Sequence, residues 1–190
     1  TTEACGDRDA NCGPGPRAIH LQCAGGRDTL SLWNAGAREV AGIDISERMI
    51  ACARRKSEAL GAPARWYCCD VLDAPSELDG WANLVYTGRG ALPWMMELDA
   101  WAGVVARLLA PGGALFVFEG HSITTLFDTE KDGLAIDAEY GDYFLSEPIA
   151  DKGWGPTYIG DLGKPEEEHA VKYERVHTLA AVVNATIGAG

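Results

Sequence analysis

The sequence predicts an open, doubly wound α/β fold with a mostly parallel sheet, and three observations predict it. Short apolar runs of strand length alternate with amphipathic runs of helix length from Ala18 to Glu119, a rhythm that calls for parallel strands joined by right-handed crossovers. The first apolar run leads into a small-residue turn, Ala24-Gly25-Gly26, and the second ends on a carboxylate, Asp44. At 190 residues with 47% hydrophobic side chains, the chain has the size of one domain with a substantial core.

Taken in order, residues 1–17 hold three Gly, two Pro, two Asp and two Arg with no apolar period, which predicts a loop or disordered leader. Ala18 to Cys23 is the first strand. Asp28 to Ala35 is helical, with Leu30 and Trp33 on one face and Gly36 closing it. Val40 to Ile43 is the second strand. Ser46 then caps a helix from Glu47 to Leu60, whose Met49, Ile50, Ala53 and Leu60 keep the core period until Gly61 and Pro63 end it. Arg65 to Cys69 is the third strand, followed by Asp70. Ala82 to Tyr86 is the fourth, with Thr87-Gly88-Arg89-Gly90 as the loop after it. Leu98 to Leu109 forms a helix with Leu98, Trp101, Val105, Leu108 and Leu109 on one face. Pro111-Gly112-Gly113 stops it, and Ala114 to Glu119 is the fifth strand.

Beyond Gly120 the alternation gives way to aromatics and turn residues. Residues 122–176 are expected to form an aromatic-rich insertion, a lid or binding element within a single domain spanning 18–190. Tyr140–Ile149, Gly155–Gly160 and Ala170–Val176 are candidates for antiparallel pairing, and a helical run from Thr178 to Ile187 resumes the earlier rhythm. The plainer reading of the aromatics is packing on the sheet edge. The chain starts without Met and ends on Gly188-Ala189-Gly190 in a helix-like pattern, so truncation at both ends is expected.

The formal net charge of −12 is unevenly spread: residues 1–118 carry 14 acidic and 11 basic side chains, residues 119–190 carry 14 and 5. An acidic body repels phosphate backbones, which argues against a nucleic-acid substrate. No run of 18 apolar residues and no basic leader before an apolar segment is present, so neither a membrane partner nor secretion is expected. The six cysteines form no Cys-x-x-Cys pair and the four His are scattered. Free buried thiols in a cytoplasmic protein, and no metal site, are the expectation.

The stretch from Ile19 to Asp44 carries the chemistry. A turn without bulky side chains lets backbone approach a ligand. A carboxylate about 20 residues further on, at the tip of the next strand, can accept both hydroxyls of a ribose. The ligand implied is a nucleoside with a polar tail.

The order of these pieces resembles that of the class I S-adenosylmethionine-dependent methyltransferases, over about residues 18–188. Ile19-His20-Leu21-Gln22-Cys23-Ala24-Gly25-Gly26 is similar to their first motif, although His20 stands where the family carries an acid and Gln22 and Ala24 where it carries Gly. Val40-Ala41-Gly42-Ile43-Asp44-Ile45-Ser46 resembles the second, Cys69-Asp70-Val71 the third and Leu84-Val85-Tyr86-Thr87 the fourth. Leu108-Leu109-Ala110-Pro111-Gly112-Gly113 resembles the turn before the family's fifth strand and is the most specific single piece. Leu-Gln-Cys-x-x-Gly-x-Asp-Thr-Leu-Ser is similar to the spelling of a bacterial subgroup of small members. The resemblance implies a Rossmann-like fold, S-adenosylmethionine as cofactor and a small-molecule methyl acceptor.

It also implies roles. Gln22, Cys23, Ala24, Gly25 and Gly26 would line the cofactor's tail, Asp44 would hold the ribose, and Ile45 and Met49 would sandwich the adenine. Asp70, with Val71, would meet the adenine amino group, and Thr87 and Gly88 would lie near the sulfonium. Each has a duller counterpart: Asp44 as a helix-terminal acid beside Ser46, Asp70 as a turn initiator, Ile45 and Met49 as core, the glycines as plain turn residues. His121, after the fifth strand, is the first candidate base, against a His bonded to a loop carbonyl. Tyr140 is the next, with Tyr143 and His177 weaker, and His169 is expected to face solvent. A competing reading is a degenerate domain of the same fold that binds the cofactor weakly or not at all and is not catalytic. A nicotinamide-dependent dehydrogenase is disfavoured, because Ala24-Gly25-Gly26-Arg27-Asp28 lacks the Gly-x-Gly-x-x-Gly spacing.

Overall fold

A computed structural model describes residues 15–128, 135–137, 141–152 and 168–190. Two compact units emerge, one comprising residues up to Tyr86 together with Arg107–Phe116, the other Thr87–Ala106 together with Val117–Gly190.

The first unit contains β1 (Arg17–Leu21), α1 (Arg27–Asn34), β2 (Glu39–Asp44), α2 (Glu47–Leu60) and β3 (Ala64–Cys68). Three further elements run from one unit into the other: β4 (Ala82–Gly88), α3 (Leu98–Leu108) and β5 (Leu109–Phe118). The five strands form one sheet in the order β3-β2-β1-β4-β5. β1 pairs in parallel with β2 and β4, and β2 with β3, in registers that set Ile19 beside Ala41 and Val85 and Asp44 beside Cys68. Strands covered on both faces read as continuous apolar runs, and Ala18, Ile19, Leu21, Val40, Ala41, Ile43 and Val85 are accordingly buried.

Local chemistry fixes the helix ends. Ser46 Oγ accepts from Met49 N at the start of α2, and Gly61, at φ 62°, closes it by donating its N–H to carbonyls of the last turn. α1 starts instead from Gly26, a left-handed N-cap without a side-chain bond, and Gly36 follows its C-cap Ala35 at φ 117°. Gly42 and Gly26 are small for a packing reason. A Cβ on Gly42 would lie 2.4 Å from the Trp66 ring, and one on Gly26 would lie 2.5 Å from the same ring and 2.7 Å from Ala53. The indole fills that space and donates Nε1–H to Ser57 Oγ at 2.9 Å.

The second unit adds β6 (Ile149–Asp151) and β7 (Lys172–Glu174), antiparallel with Ala150 opposite Tyr173, and α4 (Leu179–Gly188), capped by Thr178 Oγ1 accepting from Ala181 N at 3.1 Å. The antiparallel pair uses parts of two of the three segments marked for it in the sequence; Gly155–Gly160 lies outside the described residues.

Several element ends fall one or two residues from the sequence expectation, β1 for instance running Arg17–Leu21 rather than to Cys23, and two differences are more than that. Thr87 and Gly88 are the last residues of β4 rather than loop, because Thr87 is fully buried and continues the apolar run. Pro111-Gly112-Gly113 does not stop a helix: α3 ends at Leu108, and the three residues lie inside β5, which starts at Leu109. Gly112 supplies a left-handed φ of 78°, and a Cβ on Gly113 would come within 2.8 Å of the Ala82 carbonyl. The glycines therefore bend the strand and let it close on the start of β4.

Candidate functional site

At the carboxyl ends of β1, β2 and β3 the backbone is knitted together. Cys23 N donates to Ile43 O at 2.9 Å and Cys69 N to Asp44 O at 3.2 Å. The Asp44 side chain turns toward the β1–α1 turn: Oδ2 accepts from Ala24 N at 2.7 Å and Oδ1 from Ser46 N at 2.8 Å. Each carboxylate oxygen has a second lone pair, so two fixed N–H donors hold the group in one orientation and leave an acceptor site on each oxygen.

The turn itself winds through three left-handed residues, Gln22 (φ 53°), Ala24 (φ 44°) and Gly26 (φ 73°). Ala24 is exposed. Cys23 is buried, and its thiol lies against Gly42, where burial and then the Asp44 carboxylate push its ionisation well above the ordinary thiol range. It is a packed thiol that can meet a ligand only through its backbone. The Gly25 carbonyl accepts from Lys56 Nζ at 2.8 Å, so α2 pins the turn from behind.

Beside Asp44, two apolar side chains are left uncovered, Ile45 at 72% and Met49 at 43% exposure. Uncovered aliphatic surface next to a fixed carboxylate, above parallel strand tips, fits a nucleoside: a base against the apolar side chains, a sugar against the acid. Asp70 is exposed and caps the 3-10 turn Val71–Asp73, its Oδ1 accepting from Leu72 N at 2.9 Å. The turn-initiating role foreseen for Asp70 is thus present, and its second oxygen is not engaged by that bond. Val71 is buried, which leaves only its backbone to a ligand.

His20, at the position of the missing acid, is buried with Nδ1 2.8 Å from Thr29 Oγ1 and its ring 4.6 Å from that of Tyr86. Burial lowers its pKa to about 4, Asp28 opposing the effect only in part.

The remaining candidates belong to the second unit. Thr87 is fully buried and Gly88 partly so. His121 is exposed and caps a 3-10 turn over Ser122–Leu126, its Nδ1 accepting from Ile123 N at 3.1 Å. Tyr140 lies outside the described residues. Tyr143 accepts from Leu179 N through its hydroxyl at 3.1 Å. His177 Nε2 donates to Met95 O at 2.8 Å, and burial lowers its pKa, the bond to Met95 working against that and Arg175 with it. His169 is partly buried rather than facing solvent.

Two residues with a clear structural part escaped the sequence reading. Lys56 lies one helical step beyond Met49 and Ala53 on α2, a spacing that could have marked it. Glu119, after β5, accepts from three consecutive backbone donors, Gly90 N at 2.6 Å, Ala91 N at 2.7 Å and Leu92 N at 3.1 Å; no local signal announces such a long-range anchor. Among the described residues no group of three or more His, Cys, Asp or Glu could hold a metal ion, and no helix is long and apolar enough to cross a membrane.

Comparison with known proteins bears on this geometry. Residues 10–113 match the model of a family described as a methyltransferase domain. The chain is 36% identical over 107 residues to a demethylmenaquinone methyltransferase of Thermus thermophilus, covering 55% of this chain and 47% of that protein. It is 33% identical over 147 residues to a 4-amino-L-phenylalanine/4-methylamino-L-phenylalanine methyltransferase of Streptomyces pristinaespiralis, covering 63% of this chain and 46% of that one. The chain thus spans less than half the length of these curated relatives. Among solved structures, an S-adenosylmethionine-dependent methyltransferase from Mesorhizobium loti shares the fold with a TM-score of 0.66 at 21% identity, over 93% of this chain and 74% of that one.

Proposed function

The chain belongs to the methyltransferase-domain family of class I S-adenosylmethionine-dependent enzymes, and from that premise we propose that it transfers the methyl group of S-adenosylmethionine to a small-molecule acceptor. The observation that carries this reading is the Asp44 carboxylate, oriented by Ala24 N and Ser46 N beside the uncovered Ile45 and Met49.

In this reading Asp44 accepts the two ribose hydroxyls on its remaining lone pairs, and Ile45 and Met49 pack on the adenine. The free oxygen of Asp70 accepts from the adenine amino group. The turn from Gln22 to Gly26 faces the amino-acid tail through its backbone, stiffened by Lys56. S-adenosylmethionine, when bound, supplies a methyl carbon already activated by the sulfonium, so the protein contributes mainly alignment and exclusion of water. The two curated relatives, one named for a quinone and one for an aromatic amino acid, support a small-molecule acceptor.

Calorimetric titration with S-adenosylhomocysteine tests the reading. The wild-type chain is expected to bind, and Asp44→Asn, which keeps the size but not the charge, is expected to weaken binding by about tenfold to a hundredfold. A folded wild-type chain that gives no heat at millimolar ligand overturns the proposal and leaves a non-catalytic domain of this fold. Unchanged affinity in Asp44→Asn removes Asp44 from the site.

A further inference from the structure

The turn between β1 and α1 carries a positive charge fixed to its backbone. Lys56 Nζ donates to Gly25 O at 2.8 Å, and only one of its three N–H donors is spent there. A Cβ on Gly25 would stand 3.2 Å from the same nitrogen, 3.8 Å from Cys52 Sγ and 3.9 Å from Met49 Sδ. The ammonium thus fills the space of the side chain that Gly25 lacks, beside the thioether of Met49. Lys56 is exposed, so its charge costs little to hold there. A neutral donor would tie Gly25 O equally well, which leaves the charge itself without a structural part. Little nearby cancels it. His20, beneath the turn where the family carries an acid, bonds Thr29 Oγ1 at 2.8 Å and is kept uncharged by burial. Asp44 is turned to Ala24 N and Ser46 N. Asp28 and the exposed Arg27, on the first turn of α1, sum to zero.

We propose that Lys56 is a specificity-determining residue for the cofactor, its charge on Gly25 selecting ligands whose tail ends in a carboxylate. The proposal rests on the methyl-transfer reading and deepens it, and every residue it uses belongs to the first unit. The amino-acid tail of S-adenosylmethionine carries an ammonium and a carboxylate. With a neutral His20 below the turn and an ammonium bound to it, the carboxylate is the end that this turn attracts. Lys56 need not touch it. A unit charge one peptide away acts across the backbone, at a protein surface where the field is screened less than in bulk water, and salt weakens it. The nucleoside, held in this reading by Asp44, Ile45 and Met49, is uncharged and indifferent to that field. Lys56 therefore sorts ligands by their tails and leaves their adenosine part alone.

The test compares three ligands by calorimetry: S-adenosylhomocysteine, its decarboxylated analogue, which keeps the ammonium, and 5′-methylthioadenosine, which has no amino-acid tail. The wild-type chain is expected to bind S-adenosylhomocysteine about tenfold tighter than the decarboxylated analogue at low salt, and raising the salt from about 50 to about 500 mM is expected to narrow that gap. Lys56→Gln, which keeps a donor for Gly25 O but no charge, is expected to lose most of the preference and its salt dependence, with the affinity for 5′-methylthioadenosine unchanged. Lys56→Arg, which keeps the charge, is expected to retain the preference. A preference that survives in Lys56→Gln, or an equal loss for all three ligands, overturns the proposal, the second result leaving Lys56 as a brace of the turn only. A wild-type chain that binds all three ligands equally overturns it too, while the nucleoside site stands. No binding of any of them by the folded wild type is a different result, which removes the methyl-transfer reading and this proposal with it.

Discussion

Ala24 holds a φ of 44° and Gln22 one of 53°, in a region that L side chains enter at a cost of roughly 1–2 kcal/mol each. These are the two places where the family's first motif carries Gly and this chain does not, and the backbone shows why glycine suits them. The turn must reverse sharply enough for Ala24 N to reach Asp44. The substitutions themselves were legible in the sequence; that both positions are left-handed was not, because φ depends on where Asp44 sits. Ala24 is exposed, so replacing it sacrifices little packing. Ala24→Gly is accordingly expected to stabilise the fold by about 1 kcal/mol or slightly less, after the extra freedom glycine gains when unfolded. Urea unfolding of the two proteins measures this. A loss of stability of the same size would mean that the methyl group makes contacts worth more than the backbone strain.

Among the elements, α2 was readable to the residue because both of its ends carry side-chain or glycine signals, Ser46 and Gly61. β5 was misplaced because Pro111-Gly112-Gly113 reads as punctuation, whereas in the sheet its glycines serve a bend and a close approach to Ala82. Such a contact belongs to the partner strand and leaves no trace in the local pattern. The same holds for the segment after β4. Glu119 accepts from Gly90, Ala91 and Leu92. A little further on, Arg175 N donates to Pro93 O at 2.7 Å and its guanidinium to Met96 O at 2.9 Å, while His177 holds Met95 O. Residues 90–96 are thus fixed from both sides, by the end of β5 and by the chain just after β7. In Glu119→Gln, one face of the amide is a donor and repels the N–H groups it replaces a carboxylate for. Exchange of the Gly90, Ala91 and Leu92 amides is expected to accelerate about tenfold or more in that variant, while amides of β1 and β2 keep their protection. Unchanged exchange at residues 90–92 would show that Arg175 and His177 suffice to hold the segment.

For the molecule as a whole, the pH dependence of stability follows from a buried imidazole. His20 has a pKa of about 4 in the folded chain against 6.5 for the free side chain, because burial opposes its charge. Between those values the unfolded chain binds a proton that the folded chain does not, so stability falls as pH drops from 6.5 toward 4 and levels off below. The separation corresponds to about 3 kcal/mol in full, of which about 2 kcal/mol is lost between neutrality and pH ~4.5. His177 shifts in the same direction and adds to the loss. The −12 net charge works the other way, since protonating carboxylates relieves repulsion, and the raw profile therefore mixes opposing effects. A comparison separates them. His20→Gln keeps a polar partner for Thr29 and cannot take up the proton, so its stability should fall less steeply with acid. Urea midpoints of both proteins across this range are expected to diverge by about 2 kcal/mol in the sense that the variant gains on the wild type as pH falls. Parallel curves would mean that the folded chain accommodates the imidazolium, which requires water or a counter-charge to reach His20 beneath the turn. In that event the position that the family gives to an acid would be accessible to charge here too, and the buried His20–Thr29 pair would not be what closes the underside of the site.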